Sequence, residues 1–254
     1  MHVILTGATG LVGSGALAQI LANMKAGGPI SRLSILSRKP VPMAEGAPNV
    51  TVIQHKDYEN YPPELLKQLD GAEACIWAQG VSQFEVGKEE YIKITQDYPV
   101  AAAKAFSGLH DPFKFVYVSG EGATHSPGFF TPIFGRIKGA TELQLLGLPA
   151  AGHPSLAPYA VRPAAVDSAG HAEVIAAQKG RMPVRDYMSA VVGPLFRALP
   201  SGYLSPTAML GDFFIKLAVG DGAPVEGDDV LEGGRIVPNK AFRRIMKQSE
   251  GSGR

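Results

Sequence analysis

Thr6-Gly7-Ala8-Thr9-Gly10-Leu11-Val12-Gly13 decides how the rest of the chain is read. It follows a short apolar run, His2-Thr6, and opens a longer apolar stretch, Leu11-Lys25, so the pattern predicts strand, tight turn and helix in succession. Gly7 permits the sharp exit from the strand, Gly10 lets backbone N–H groups approach an anion, and Gly13 lets the helix lie close to the sheet. The helix start adds unbonded donors and the positive end of a dipole. A Gly-x-x-Gly-x-x-Gly loop in this setting reads as the grip on a dinucleotide pyrophosphate, with Gly7, Thr9, Gly10, Leu11, Val12 and Gly13 as its residues.

Outward from this loop, short apolar runs alternate with longer helical stretches. Strands are expected near His2-Thr6, Leu33-Ser37, Val50-Gln54, Ala74-Ala78, Phe113-Val118 and Tyr159-Arg162. Helices are expected near Leu11-Lys25, Pro63-Leu69, Lys88-Phe106, interrupted around Pro99, and Ile133-Leu146. This is the α/β class: a Rossmann doubly wound parallel sheet with a small C-terminal helical cap. We read residues 1–254 as one nucleotide-binding domain, with 164–245 contributing a cap over the substrate end and 248–254 as a frayed tail. Within that cap, helical segments are expected between Val184 and Val219, divided by Gly193-Pro194, Pro200 and Pro206, and a basic terminal helix from Asn239.

The end of the second strand carries the next discrimination. A site for NAD usually places an acidic residue there, to accept from the ribose 2′-OH. This chain has Ser37, Arg38 and Lys39, and a guanidinium beside an ammonium suits a 2′-phosphate, so NADP(H) is expected ahead of NAD(H). Asp57, after the third strand, offers an acceptor for the adenine amine, or a helix cap.

Composition removes other classes. Lys plus Arg (24) nearly balance Asp plus Glu (23), so no net field draws a polyanion, and neither nucleic acid nor a membrane surface is expected as partner. The glycines of the loop interrupt the apolar start and no basic segment precedes it, so it does not read as a leader, and the expected location is cytoplasmic. A single cysteine, Cys75, excludes disulfide stapling, and scattered histidines (His110, His153, His171) predict no metal site. The expected partner is a small-molecule substrate; homo-oligomer formation stays open.

Several marks together resemble the atypical, extended-like branch of the short-chain dehydrogenase/reductase superfamily. They are the glycine loop, Trp77-Ala78-Gln79-Gly80 at the fourth strand, Val116-Tyr117-Val118-Ser119, Phe134-Gly135-Arg136-Ile137-Lys138 and Val161-Arg162-Pro163. The segments Leu204-Ser205-Pro206-Thr207 and Pro238-Asn239-Lys240-Ala241-Phe242 are similar to those of the Tat-interacting-protein-like group and its fungal relatives. The resemblance implies that Ala78, Gln79, Gly80, Arg162 and Pro163 flank the cofactor, that Ser119 faces the nicotinamide and that Lys138 holds the ribose. It also implies a tyrosine where this chain has Phe134, and a phenyl ring has no proton to give. Glu121 and His125, on the loop after the serine, are the candidate replacements; Tyr117 and Tyr159 read as core or lining, and Phe129-Phe130 and Phe213-Phe214 as core or pocket wall.

The implied activity is therefore an NADP-dependent oxidoreductase acting on a small, apolar carbonyl compound with an altered proton donor. Two alternatives remain at this stage. One is a nucleotide-binding regulatory or redox-sensing protein without turnover; the other is a non-redox isomerase or cyclase on the same fold.

Overall fold

The computed structural model describes residues 1–179 and 203–252. Its centre is a sheet of seven parallel strands in the order β3-β2-β1-β4-β5-β6-β9. These are β1 (His2–Thr6), β2 (Arg32–Ser37), β3 (Val50–Gln54), β4 (Ala72–Trp77), β5 (Phe113–Val118), β6 (Leu156–Arg162) and β9 (Ile236–Pro238). A further parallel pair, β7 (Ala165–Asp167) with β8 (Leu204–Pro206), stands apart from it.

The inner strands are buried at nearly every position because both faces are covered, whereas β3, at the sheet's edge, buries only Ile53. Val3 and Leu5 of β1, with Ala74 and Ile76 of β4, enter the core under α1 (Leu11–Lys25). Ile4, Cys75 and Trp77 enter the opposite core, with Phe106 of α4 (Tyr98–Phe106) and Leu145 of α5 (Ile133–Gly147). Cys75 is buried there.

Between α3 (Lys88–Ile92) and α4 the helix widens into a π turn, Lys93–Asp97. The carbonyl of Thr95 in this turn accepts from Tyr117 Oη at 3.1 Å and from Thr141 Oγ1 at 3.2 Å. Pro99, which cannot donate to a helix ladder, lies in the first turn of α4 just after it.

The remaining described helices are α2 (Pro63–Gln68), α6 (Ala172–Gln178), α7 (Thr207–Val219) and α8 (Asn239–Ser252). The expected helical segments between residues 184 and 202 lie outside the described residues. From Thr207 the chain does more than cover one edge of the sheet: α7 packs along α1, and β9 adds a strand beside β6. Glycines bring α1 and α7 together, since a Cβ on Gly15 would sit 2.9 Å from Thr207 Cβ and one on Gly211 would sit 2.9 Å from Gly15 O. Phe213 and Phe214 of α7 are core residues. Among the described residues no helix is long and apolar enough to cross a membrane.

Candidate functional site

The strand order reverses between β1 and β4, and the crevice beyond their carboxyl ends is where open α/β sheets bind ligands. Gly7 turns out of β1 at φ +67°, and a side chain there would meet Ala78 O at 2.3 Å. Gly13 lies under the turn, its missing Cβ only 2.0 Å from Gly7 O, so the helix backs directly onto the loop. Gly10 precedes α1, donates to Gly7 O at 2.8 Å, and has no side chain to cap the helix; no acidic residue occupies the first turn. The first N–H groups of α1 therefore remain available to an anion. Gln178 of α6, which nothing in the sequence pattern singled out, donates to Thr9 O at 3.1 Å and steadies the loop.

Two adjoining chambers share Gly10, Ala78, Gln79 and Gly80. The smaller, about 170 Å³, is lined by Gly7, Thr9, Ser37, Arg38, Lys39 and Tyr58, among others. Ser37 Oγ donates to Lys39 O at 2.7 Å, shaping the turn that carries the two cations. Neither Arg38 nor Lys39 has a carboxylate partner among the described residues. The larger chamber, about 880 Å³, holds Leu11, Val12, Ser119, Glu121, Phe134, Lys138 and Pro163, with an apolar wall from Val81, Val118 and Val166.

Most of the expected cofactor residues thus meet along one cleft; two of them, Asp57 and Arg162, and the candidate proton donor His125 are placed elsewhere. Asp57 lies in a separate hollow with His55 and Tyr61; its carboxylate accepts from Glu59 N at 3.1 Å and Asn60 Nδ2 at 2.8 Å, and these bonds hold it below the usual carboxylate range. Arg162 turns away from the cleft: its Nε and Nη2 donate to Glu142 at 2.8 and 2.5 Å. His125 is likewise drawn inward, with Nε2 at 2.9 Å from Glu142 Oε2 and Nδ1 at 3.2 Å from Glu232 Oε1.

Glu142 is the residue that sequence reading missed. It is fully buried on α5, and Ser119 Oγ also donates to it, at 2.5 Å. The helix face explains the arrangement: Gly135, Gly139 and Glu142 lie along one stripe, and Cβ atoms on the two glycines would collide with Gly122 O at 2.5 Å and Thr124 O at 2.0 Å. Their absence lets the loop after β5 lie on the helix and delivers His125 to Glu142. A Gly-x-x-x-Gly-x-x-Glu spacing in a helix was the available signal.

Lys138 Nζ donates to Val118 O at 3.1 Å and to Ser119 O at 2.6 Å. Burial brings its pKa down to about 8, partly offset by the Glu142 carboxylate. Phe134 forms chamber wall, and its ring lies where a Cβ on Gly122 would come within 2.9 Å. Glu121 lines the chamber, yet its Oε1 accepts from Asn239 N at 2.7 Å at the start of α8, a favourable place for a carboxylate. Tyr117 is buried with its hydroxyl bound to Thr95 O, and burial pushes that hydroxyl's pKa up; Tyr159 Oη donates to Ala223 O at 2.6 Å. Neither lines the chamber. Phe129 and Phe130, expected as core or wall, are more than nine-tenths exposed. Arg136 accounts for this by binding the carbonyls of Gly128, Phe129 and Thr131, which turns both rings outward.

Comparison with known proteins finds relatives that run along most of the chain. The leucinostatins biosynthesis cluster protein T of Purpureocillium lilacinum is 35% identical over 244 residues, covering 89% of this chain and 88% of its own. The botcinic acid biosynthesis cluster B protein 16 of Botryotinia fuckeliana is 40% identical over 152 residues, 57% of this chain and 96% of its own. Among solved structures, that of BdcA in complex with NADPH superposes with a TM-score of 0.63 at 12% identity, over 93% of this chain and 91% of its own. Other solved structures with this fold include a short-chain dehydrogenase family protein, a dTDP-glucose 4,6-dehydratase and a heptose epimerase. No protein-family profile matches the chain.

Proposed function

This chain belongs to the same family as the leucinostatins biosynthesis cluster protein T, and on that premise we propose that it is an NADP(H)-dependent oxidoreductase interconverting a small, apolar carbonyl compound and its alcohol. The observation that carries the reading is the single cleft running from Arg38 and Lys39, past the glycine loop, to Lys138. Gly7 and Gly10 leave the backbone open to a pyrophosphate, the N–H groups of Leu11 and Val12 face it, and Arg38 with Lys39 suits a 2′-phosphate. The residues present therefore fit the nucleotide, which supplies or accepts hydride when bound.

The chain's own part is to bind, orient and hold a proton. Lys138 fills the place left by Phe134: an ammonium with a pKa of about 8 is protonated at neutral pH and lies near enough to it to give its proton up. The valine-rich wall favours an apolar substrate skeleton, and the cluster names of the two relatives point to a biosynthetic intermediate.

The test is calorimetric titration with NADPH and NADH, followed by nicotinamide absorbance with a panel of ketones, enones and secondary alcohols. Saturable NADPH binding that weakens by at least about ten-fold in Arg38→Asp is the expected result. A protein indifferent to both nucleotides would sink the proposal. One observation favours a second reading, nucleotide binding without turnover: the Ser119 hydroxyl is bound to Glu142 and Phe134 replaces the usual acid. Tight NADPH binding with no turnover across the panel would select it.

A further inference from the structure

Ser119 and Lys138 both line the larger chamber, and their hydrogen-bonding capacities are opposite. The Ser119 hydroxyl hydrogen is committed to Glu142 Oε1 at 2.5 Å. A carboxylate gripped at both oxygens by the Arg162 guanidinium has only lone pairs to offer, so it cannot return a hydrogen to the serine. Among the described residues nothing donates to Ser119 Oγ. Its lone pairs are what remain for a ligand. Lys138 is the converse: two of its three hydrogens go to Val118 O and Ser119 O, which leaves a donor and no acceptor.

From this we infer that the polar end of the chamber is built to recognise a hydroxyl group rather than a carbonyl, with Glu142 as the positioning residue that sets the direction of the Ser119 hydrogen bond. A hydroxyl both accepts, from Lys138, and donates, to Ser119 Oγ. A carbonyl oxygen satisfies Lys138 alone and meets the serine lone pairs with its own. The alcohol of a carbonyl/alcohol pair is then the better ground-state ligand. The inference rests on the proposed function in treating this chamber as the seat of that pair. A ribose hydroxyl offers the same chemistry as a substrate hydroxyl.

The test uses 1-phenylethanol and acetophenone, matched in skeleton, titrated by NMR into the full chain with and without NADP+. In the wild type the alcohol binds about ten-fold more tightly than the ketone, the value of one satisfied hydrogen bond. Ser119→Ala brings the ratio to about one. Glu142→Leu combined with Arg162→Met removes the buried pair and frees the serine hydrogen to point into the chamber, so the preference disappears or inverts. A merely structural role for Glu142 would leave the ratio unchanged in that variant. Unchanged NADP+ affinity in Ser119→Ala assigns the recognised hydroxyl to the substrate, and a loss of affinity assigns it to the ribose. Equal binding of the two ligands by the wild type, a preference that survives Ser119→Ala, or no saturable binding of either would overturn the inference. A preference seen without NADP+, in a protein that binds no nucleotide, would instead overturn the proposed function alone.

Discussion

Replacing Glu142 by alanine tests the buried network most directly. Its carboxylate is wholly buried and meets Ser119 Oγ, two guanidinium nitrogens of Arg162 and His125 Nε2. In Glu142→Ala the Arg162 side chain, 10% exposed, keeps its charge and loses its counter-ion. Removing one partner of a buried pair costs about 3–5 kcal/mol, because the other charge stays desolvated. At about 2–4 °C per kcal/mol for a chain of this length, the unfolding midpoint falls by about 6–20 °C. The double variant Glu142→Leu/Arg162→Met leaves no orphan charge and fills a similar volume, so it regains most of that loss. The assay is a circular dichroism melt near neutral pH of the wild type, Glu142→Ala and the double variant. If Glu142→Ala melts within about 2 °C of the wild type, or the double variant melts below it, the reasoning about this pair is wrong.

Three further outcomes follow from the geometry. Carbonyl reduction falls as pH rises through about 8, where Lys138 loses its proton, and in Lys138→Met that alkaline limb disappears with the activity; pH–rate profiles check both. Stability carries the same group with a definite sign. The folded amine releases its proton near 8 and the unfolded one near its ordinary 10.5, so between these values the unfolded chain binds more protons and the Lys138 contribution to stability rises with pH, a slope that denaturant titrations find missing in Lys138→Met. Gly13→Ala drives a methyl group to 2.0 Å from Gly7 O, and nucleotide binding is lost together with a fall of several degrees in the melting midpoint, whereas Gly147→Ala, with nothing within 4 Å, retains both.

How much of this was legible in the sequence depended on how local the cause was. The strands β1 and β5 and the helix α1 coincide with the apolar runs that predict them, because burial leaves a nearly continuous hydrophobic signal, and β3 coincides too although, at the sheet's edge, it buries only Ile53. The short strands β7, β8 and β9 give too few residues for any periodicity to register. The first chamber was readable for the same local reason: a glycine loop and the end of a neighbouring strand supply most of it. The lining of the second was readable too, since Ser119, Glu121, Phe134, Lys138 and Pro163 all border it, but its hydrogen bonding was not, because the direction of a side chain is a tertiary fact. Ser119, Arg162 and His125 were each assigned to the cleft from their places along the chain, and one buried carboxylate on α5 turned all three toward itself. A glutamate within a helix ordinarily reads as solvent-facing, so Glu142 drew no notice beside the more conspicuous Lys138.

The contact of Gly15 with Thr207 and Gly211 has a consequence for biogenesis. The helix behind the glycine loop is shielded by a segment, Thr207–Val219, that is synthesised long after it, so until that segment has left the ribosome Leu17 and Ile20 have no cover from Leu210, Phe213 and Phe214. Such a topology withholds a finished glycine loop until Thr207–Val219 has been made, and it leaves a sticky apolar surface for chaperones to mask in the interval.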